Sequence, residues 1–258
     1  MTVPATGKTL DALLLDAFAE EKNPTITQPS ATVSSSQMKA YEAGSNVTVS
    51  YNTSFNAGKY QYGPATGVTA TSYSVSLGDE TLTTASGSFA QIQVEDATNI
   101  RISASIGYSQ GAIPLTNLGK EYAAGQIKAG TASANSSYIT GYRQIFYGPD
   151  SGTGAIDSAT IRALTAGGRA AAATTINSIQ AQSGTKRIII AVPQSSGLEV
   201  AAANITTSLN ADVTSSYVKQ EAAVQVEGAN GYTAAPYDVF VYQPASIDPT
   251  ENHKVVLG

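Results

Sequence analysis

The nine residues Thr185-Lys186-Arg187-Ile188-Ile189-Ile190-Ala191-Val192-Pro193 constrain the fold more than any other stretch of this chain. Five apolar residues in succession, four of them β-branched, are too few for a helix and have the composition of a strand buried on both faces. Lys186 and Arg187 are expected to mark its solvated start. Pro193 has no N–H to donate and is expected to end its ladder. A strand covered on both sides needs neighbours, and Tyr237-Asp238-Val239-Phe240-Val241-Tyr242 is the most suitable partner. The C-terminal half is therefore expected to be a β-sandwich closed around these two runs.

The remaining segments extend the β pattern in both directions. Asn46-Val47-Thr48-Val49-Ser50-Tyr51 alternates, with Val47, Val49 and Tyr51 on one face. Strand composition recurs at Ala31–Val33, Gly58–Pro64, Val68–Leu77, Phe89–Val94 and Ile100–Ile106, at spacings typical of an immunoglobulin-like sandwich. In the second half, Tyr138–Tyr147 and Tyr217–Val226 read as strands, and Gly148–Gly154 reads as a flexible loop. Asp157 is placed to cap a short helix reaching about Leu164. The expected fold is mainly β: two β-sandwich (Ig-like) domains behind a short N-terminal amphipathic helix. The boundaries are a docking helix over 1–24, the first sandwich over 25–112, a junction over 113–131 and the second sandwich over 132–258, its short helix near 157–165.

In that N-terminal helix Leu10, Leu13, Leu14 and Phe18 fall on one stripe. Thr9 can serve as its N-cap, and Asn23-Pro24 stops it. The stripe either packs on its own domain or docks on another subunit.

Composition narrows the function classes. Charged residues make up 13% of the chain, about half the usual ~25%. The 28 Ser and 29 Thr must then supply much of the polar surface, as in extracellular, cell-surface or virion proteins. A net charge of −5 argues against a nucleic-acid partner, which needs a basic face. The absence of Cys removes disulfides and thiolate chemistry together. No run reaches the ~18 apolar residues of a membrane span, and the first residues lack a signal-peptide pattern.

Candidate chemistry is sparse. His253, the only histidine, is expected at the surface of the last strand or in a tail. The pairs Glu20-Glu21, Asp79-Glu80 and Glu95-Asp96 read as solvated turns. Asp79 and Glu80 could hold Ca2+ with loop carbonyls, but no EF-hand spacing supports this. Gly148–Gly154 lacks the lysine of a phosphate loop. The 14 Tyr either fill half-buried strand positions with solvated hydroxyls or form a recognition surface, with Tyr60, Tyr62, Tyr142 and Tyr147 as candidates. No cofactor, metal site or enzymatic activity is expected.

Several segments also carry a family resemblance. They are Asn23–Ser30, the Ala43-Gly44-Ser45-Asn46-Val47 turn and strand, Gly58–Ala70, Gly141–Gly148, Gly184–Arg187 and Tyr237–Ala245. Together the chain resembles structural proteins of tailed bacteriophages and prophages of gut bacteria, the tail, baseplate and fibre components with Ig-like β domains. The resemblance implies a non-enzymatic virion component made in the bacterial host cytoplasm. Its partners would be other copies of itself, capsid, neck or tail proteins, and a host surface glycan. The alternative is a surface carbohydrate-binding or adhesin module.

Overall fold

The computed structural model describes residues 9–11, 18, 20–164, 166–169 and 174–258. The protein is mainly β. In chain order the strands are β1 (Ile26–Thr27), β2 (Ser30–Ser34), β3 (Ala40–Glu42), β4 (Asn46–Val47), β5 (Ser50–Asn56), β6 (Lys59–Tyr60), β7 (Ala70–Leu77), β8 (Glu80–Leu82), β9 (Ser86–Ser88), β10 (Ile92–Gln93) and β11 (Asn99–Tyr108). They continue with β12 (Gly130–Tyr142), β13 (Gln144–Asp150), β14 (Ala166–Arg169), β15 (Thr174–Gln180), β16 (Arg187–Pro193), β17 (Val200–Ile205), β18 (Ala211–Asp212), β19 (Tyr217–Lys219), β20 (Val224–Val226), β21 (Ala235–Tyr242) and β22 (Asn252–Leu257). The fold divides into two compact units that do not follow chain order. The first contains 1–39, 48–91 and 100–138; the second contains 40–47, 92–99 and 139–258.

In the first unit one sheet has the order β2-β5-β9, and a second places β11 between β7 and the first part of β12. β7 turns into β8 at Gly78, whose φ of +58° suits glycine. The buried positions have the two-residue period of a half-covered strand: Tyr51 and Thr53 on β5, and Ile102, Ala104 and Ile106 on β11. Polar groups in this thin core are paired. Tyr51 donates its hydroxyl to Thr84 O (3.0 Å), and Thr53 Oγ1 donates to Ala85 O (2.7 Å).

The second unit is built on β16. Its sheet runs β14-β13-β16-β21-β19, and β20 also pairs with β21. A second sheet runs β15-β22-β17-β18. Between the two sheets Ile145, Ile188, Ile190 and Phe240 pack with Ile176, Ala203, Val255 and Leu257. On the opposite face of β16, Ile189 and Ala191 pack with Val239 under Ile156 and Ile161. Ile161 belongs to the short helix Ser158–Arg162, whose first turn is capped by Asp157 Oδ1 accepting from Thr160 N (2.8 Å). β16 is thus covered on both faces, and β21 is its antiparallel partner from Ile188↔Tyr242 to Pro193↔Tyr237. β3 runs parallel to the end of β12, from Thr140↔Ala40 to Tyr142↔Glu42.

Three local expectations are corrected. Arg187 is not solvated; it is 5% exposed. β13 continues through Gly148 and Pro149 to Asp150, so these residues are strand, and Asp150 lies opposite Arg187. The carboxylate then meets Arg187 Nε at 2.6 Å while Nη1 donates to Gly154 O at 2.7 Å. A guanidinium so satisfied can leave water. Pro193, as expected, ends the ladder: it is the last residue of β16, where a missing N–H is tolerated. The segment 217–226 is two short strands, β19 and β20, that pair with different parts of β21.

Candidate functional site

The N-terminal stripe is partly described. Leu10, Asp11 and Phe18 have helical backbone, while Leu13 and Leu14 lie outside the described residues. Leu10 is 71% and Phe18 85% exposed.

Of the candidate tyrosines, Tyr60 and Tyr62 lie in the first unit and Tyr142 and Tyr147 in the second. Tyr60, Tyr62, Tyr142 and Tyr147 are all half-buried, and Tyr138 is the only exposed tyrosine of the fourteen. In the first unit, Tyr60 donates its hydroxyl to Ala112 O (2.8 Å) and accepts from Ile127 N (3.1 Å). In the second, the ring of Tyr142 lies under Arg169 (5.9 Å), and Tyr147 packs against the core between the sheets. Tyr237 donates to Gln144 O (2.8 Å), and burial pushes its hydroxyl well above the ordinary tyrosine range. Tyr60 and Tyr237 are struts with an apolar body and a paired hydroxyl. The exposed Tyr138 carries the Arg101 guanidinium over its ring at 5.4 Å.

The histidine expected at the surface is instead wholly buried. β22 has the burial pattern of alternating inward residues, and His253 is in phase with Val255 and Leu257. That two-residue period was the signal available in the sequence; nearness to the chain end obscured it. On the neighbouring strands Ile179 and Ile205 stand opposite His253 in register.

Two hydrogen bonds fix the ring. Nε2 is 3.2 Å from Glu251 Oε2, and Nδ1 is 3.0 Å from the Tyr217 hydroxyl. A carboxylate only accepts, so the proton sits on Nε2, and Tyr217 O–H donates to Nδ1. Glu251 is itself held: Oε1 accepts from Asp248 N (3.1 Å), and Oε2 also accepts from the Tyr242 hydroxyl at 3.5 Å. Tyr242 packs edge-on against the imidazole with centroids 4.7 Å apart. Desolvation pulls the His253 pKa below its ordinary value, against the opposing pull of Glu251.

The order carboxylate, imidazole, hydroxyl is that of an activated nucleophile. Here, however, burial raises the Tyr217 hydroxyl far above its usual value, with smaller contributions from Tyr242 and Glu251. It therefore stays a proton donor, and it is 6% exposed. The relay crosses the core and joins the two sheets of the second unit.

The acidic pairs have individual roles. Glu21 meets Lys120 Nζ (2.8 Å), Glu80 Oε2 accepts from Ala90 N (2.8 Å), and Asp96 binds Arg143 Nε (3.0 Å). Arg143 is buried under the Tyr232 ring, and its Nη1 has no hydrogen-bond partner. Among the described residues no group of three or more His, Cys, Asp and Glu could hold a metal ion. The second unit also has a groove of about 300 Å3 lined by residues including Arg187, Val218, Lys219 and Val241. Among the described residues no helix is long and apolar enough to cross a membrane.

No protein-family model matches this chain, and neither a curated protein nor a solved structure is significantly similar to it.

Proposed function

We propose that this chain is a non-enzymatic structural component of a bacteriophage virion, in the tail, baseplate, fibre or a head-attached projection, and that it assembles in multiple copies. Both units are read as Ig-like sandwiches, with the N-terminal helix as the docking element. The observation that carries this reading is the exposure of Leu10 and Phe18 on helical backbone. A large apolar side chain moved from water into an interface contributes about 1.5–3 kcal/mol, so two such residues favour a partner surface. The Ser/Thr-rich, charge-poor composition and the resemblance to tailed-phage structural proteins point the same way. The partners are further copies and other virion proteins.

Light scattering on the full chain and on a Leu10→Ser/Phe18→Ser variant tests the proposal. The expected result is a multimer for the full chain and a smaller species for the variant. Equal monomeric masses for both, with virion partners added, would contradict it.

A second reading, a surface carbohydrate-binding or adhesin module, is favoured by one observation. Tyr138 is 46% exposed and has Arg101 stacked on its ring, a flat surface of the kind that sugars stack on. Its test is a glycan array with Tyr138→Ala as the control; no signal from the full chain removes it.

A further inference from the structure

We propose that His253 is an acid-released latch that holds the edge strand β19 closed at neutral pH and lets it go when the imidazole takes up a proton. β19 has three residues, and its ladder partner is β21. Val218, its middle residue, is 63% exposed. The strand is held by Tyr217 O–H to His253 Nδ1, by the surface ion pairs of Lys219 Nζ with Asp238 (2.8 Å) and Glu199 (3.3 Å), and by the ladder continued by Gln220 N to Val239 O (2.8 Å). Of these, the Tyr217 bond is the one that reaches across the core to the other sheet.

The bond works in one proton state only. A neutral ring with its proton on Nε2 leaves Nδ1 free to accept, and the Tyr217 hydroxyl has no other hydrogen bond among the described residues. An imidazolium donates from both nitrogens. Its Nδ1–H would then face a hydroxyl whose own proton must turn into the core without an acceptor, and a buried donor left unpaired destabilises the closed form. The groups facing the ring are Tyr217 from β19, Tyr242 from β21, Glu251 from the turn before β22, and the uncharged Ile179 and Ile205 from β15 and β17. Glu251 is the one charged group acting on the ring, and its attraction is outweighed by burial.

The sign follows from that balance. The closed form disfavours the proton, whereas a released His253 has an ordinary pKa of about 6.5. The closed form is therefore fully favoured above about pH 6.5 and loses ground as pH falls. While the closed ring stays neutral, each pH unit below about 6.5 raises the opening equilibrium about tenfold.

A chain with one histidine allows a direct test. In the full-length protein with 15N-labelled imidazole, the ring nitrogens are expected to report an Nε2–H tautomer at pH 7.5. They should remain neutral well below pH 6.5. Exchange of the Gln220 amide, corrected for its intrinsic pH dependence, should accelerate at least tenfold between pH 7.5 and 5. In His253→Phe, which keeps an aromatic ring and cannot titrate, that acceleration should disappear. A folded-state midpoint at or above 6.5, an unchanged Gln220 exchange rate, or the same acid response in His253→Phe would each overturn the proposal. If His253→Phe does not fold, the two wild-type measurements decide.

Discussion

The two units solve the same problem with different materials. Among the described residues, twelve apolar side chains are buried in the first unit and twenty-seven in the second. The first closes on Val75, Ile102, Ile106 and a few rings, and pairs its buried hydroxyls with backbone carbonyls. The second closes on consecutive isoleucines packed on both faces of β16. Charge divides as unevenly. Lys and Arg number seven in each unit, while Asp and Glu number seven in the first and twelve in the second. The whole net charge of −5 thus belongs to the unit with the thicker core. A short strand rich in Ser and Thr suffices for a sheet, but burial depth sets how much stability follows.

Substitutions sharpen this contrast. The largest effect is expected for Ile190→Ala, which removes a fully buried side chain between two sheets and should cost about 2–5 kcal/mol. Asp150→Ala should cost about 3 kcal/mol, because Arg187 would be left as a buried charge without its carboxylate. In the first unit Val75→Ala loses two methyl groups at ~0.8 kcal/mol each and should cost about 2 kcal/mol. Tyr51→Phe removes the bond to Thr84 O and should cost about 1 kcal/mol. Lys120→Ala, which breaks an exposed pair with Glu21, should change stability by less than about 0.5 kcal/mol. Denaturant unfolding of each variant measures these differences. Equal costs for Ile190→Ala and Val75→Ala would erase the contrast.

What the sequence made legible follows burial. The run Ile188–Val192 predicts its own strand, its double coverage and its partner near Tyr237 because β-branched residues in succession leave few other solutions. Asp157 predicts its helix start by capping chemistry. Arg187 and His253 are misplaced for one shared reason. Both types are usually solvated, and each is buried here only because a distant group, Asp150 or Tyr217, completes its hydrogen bonds. Such pairings join residues 37 and 36 positions apart, and local pattern does not carry them. The tyrosines divide the same way. Their positions on or near strands are legible, but the distant partner of a hydroxyl, such as Ala112 O for Tyr60 or Gln144 O for Tyr237, is set by the fold.

Amide hydrogen exchange of the intact chain at pH 7.5, followed across a denaturant series, tests the inequality of the two cores most directly. Exchange in 187–193 and 237–242 should persist to higher denaturant than exchange in 50–56 and 70–77, giving two separated transitions. A single transition shared by all four segments would contradict the account.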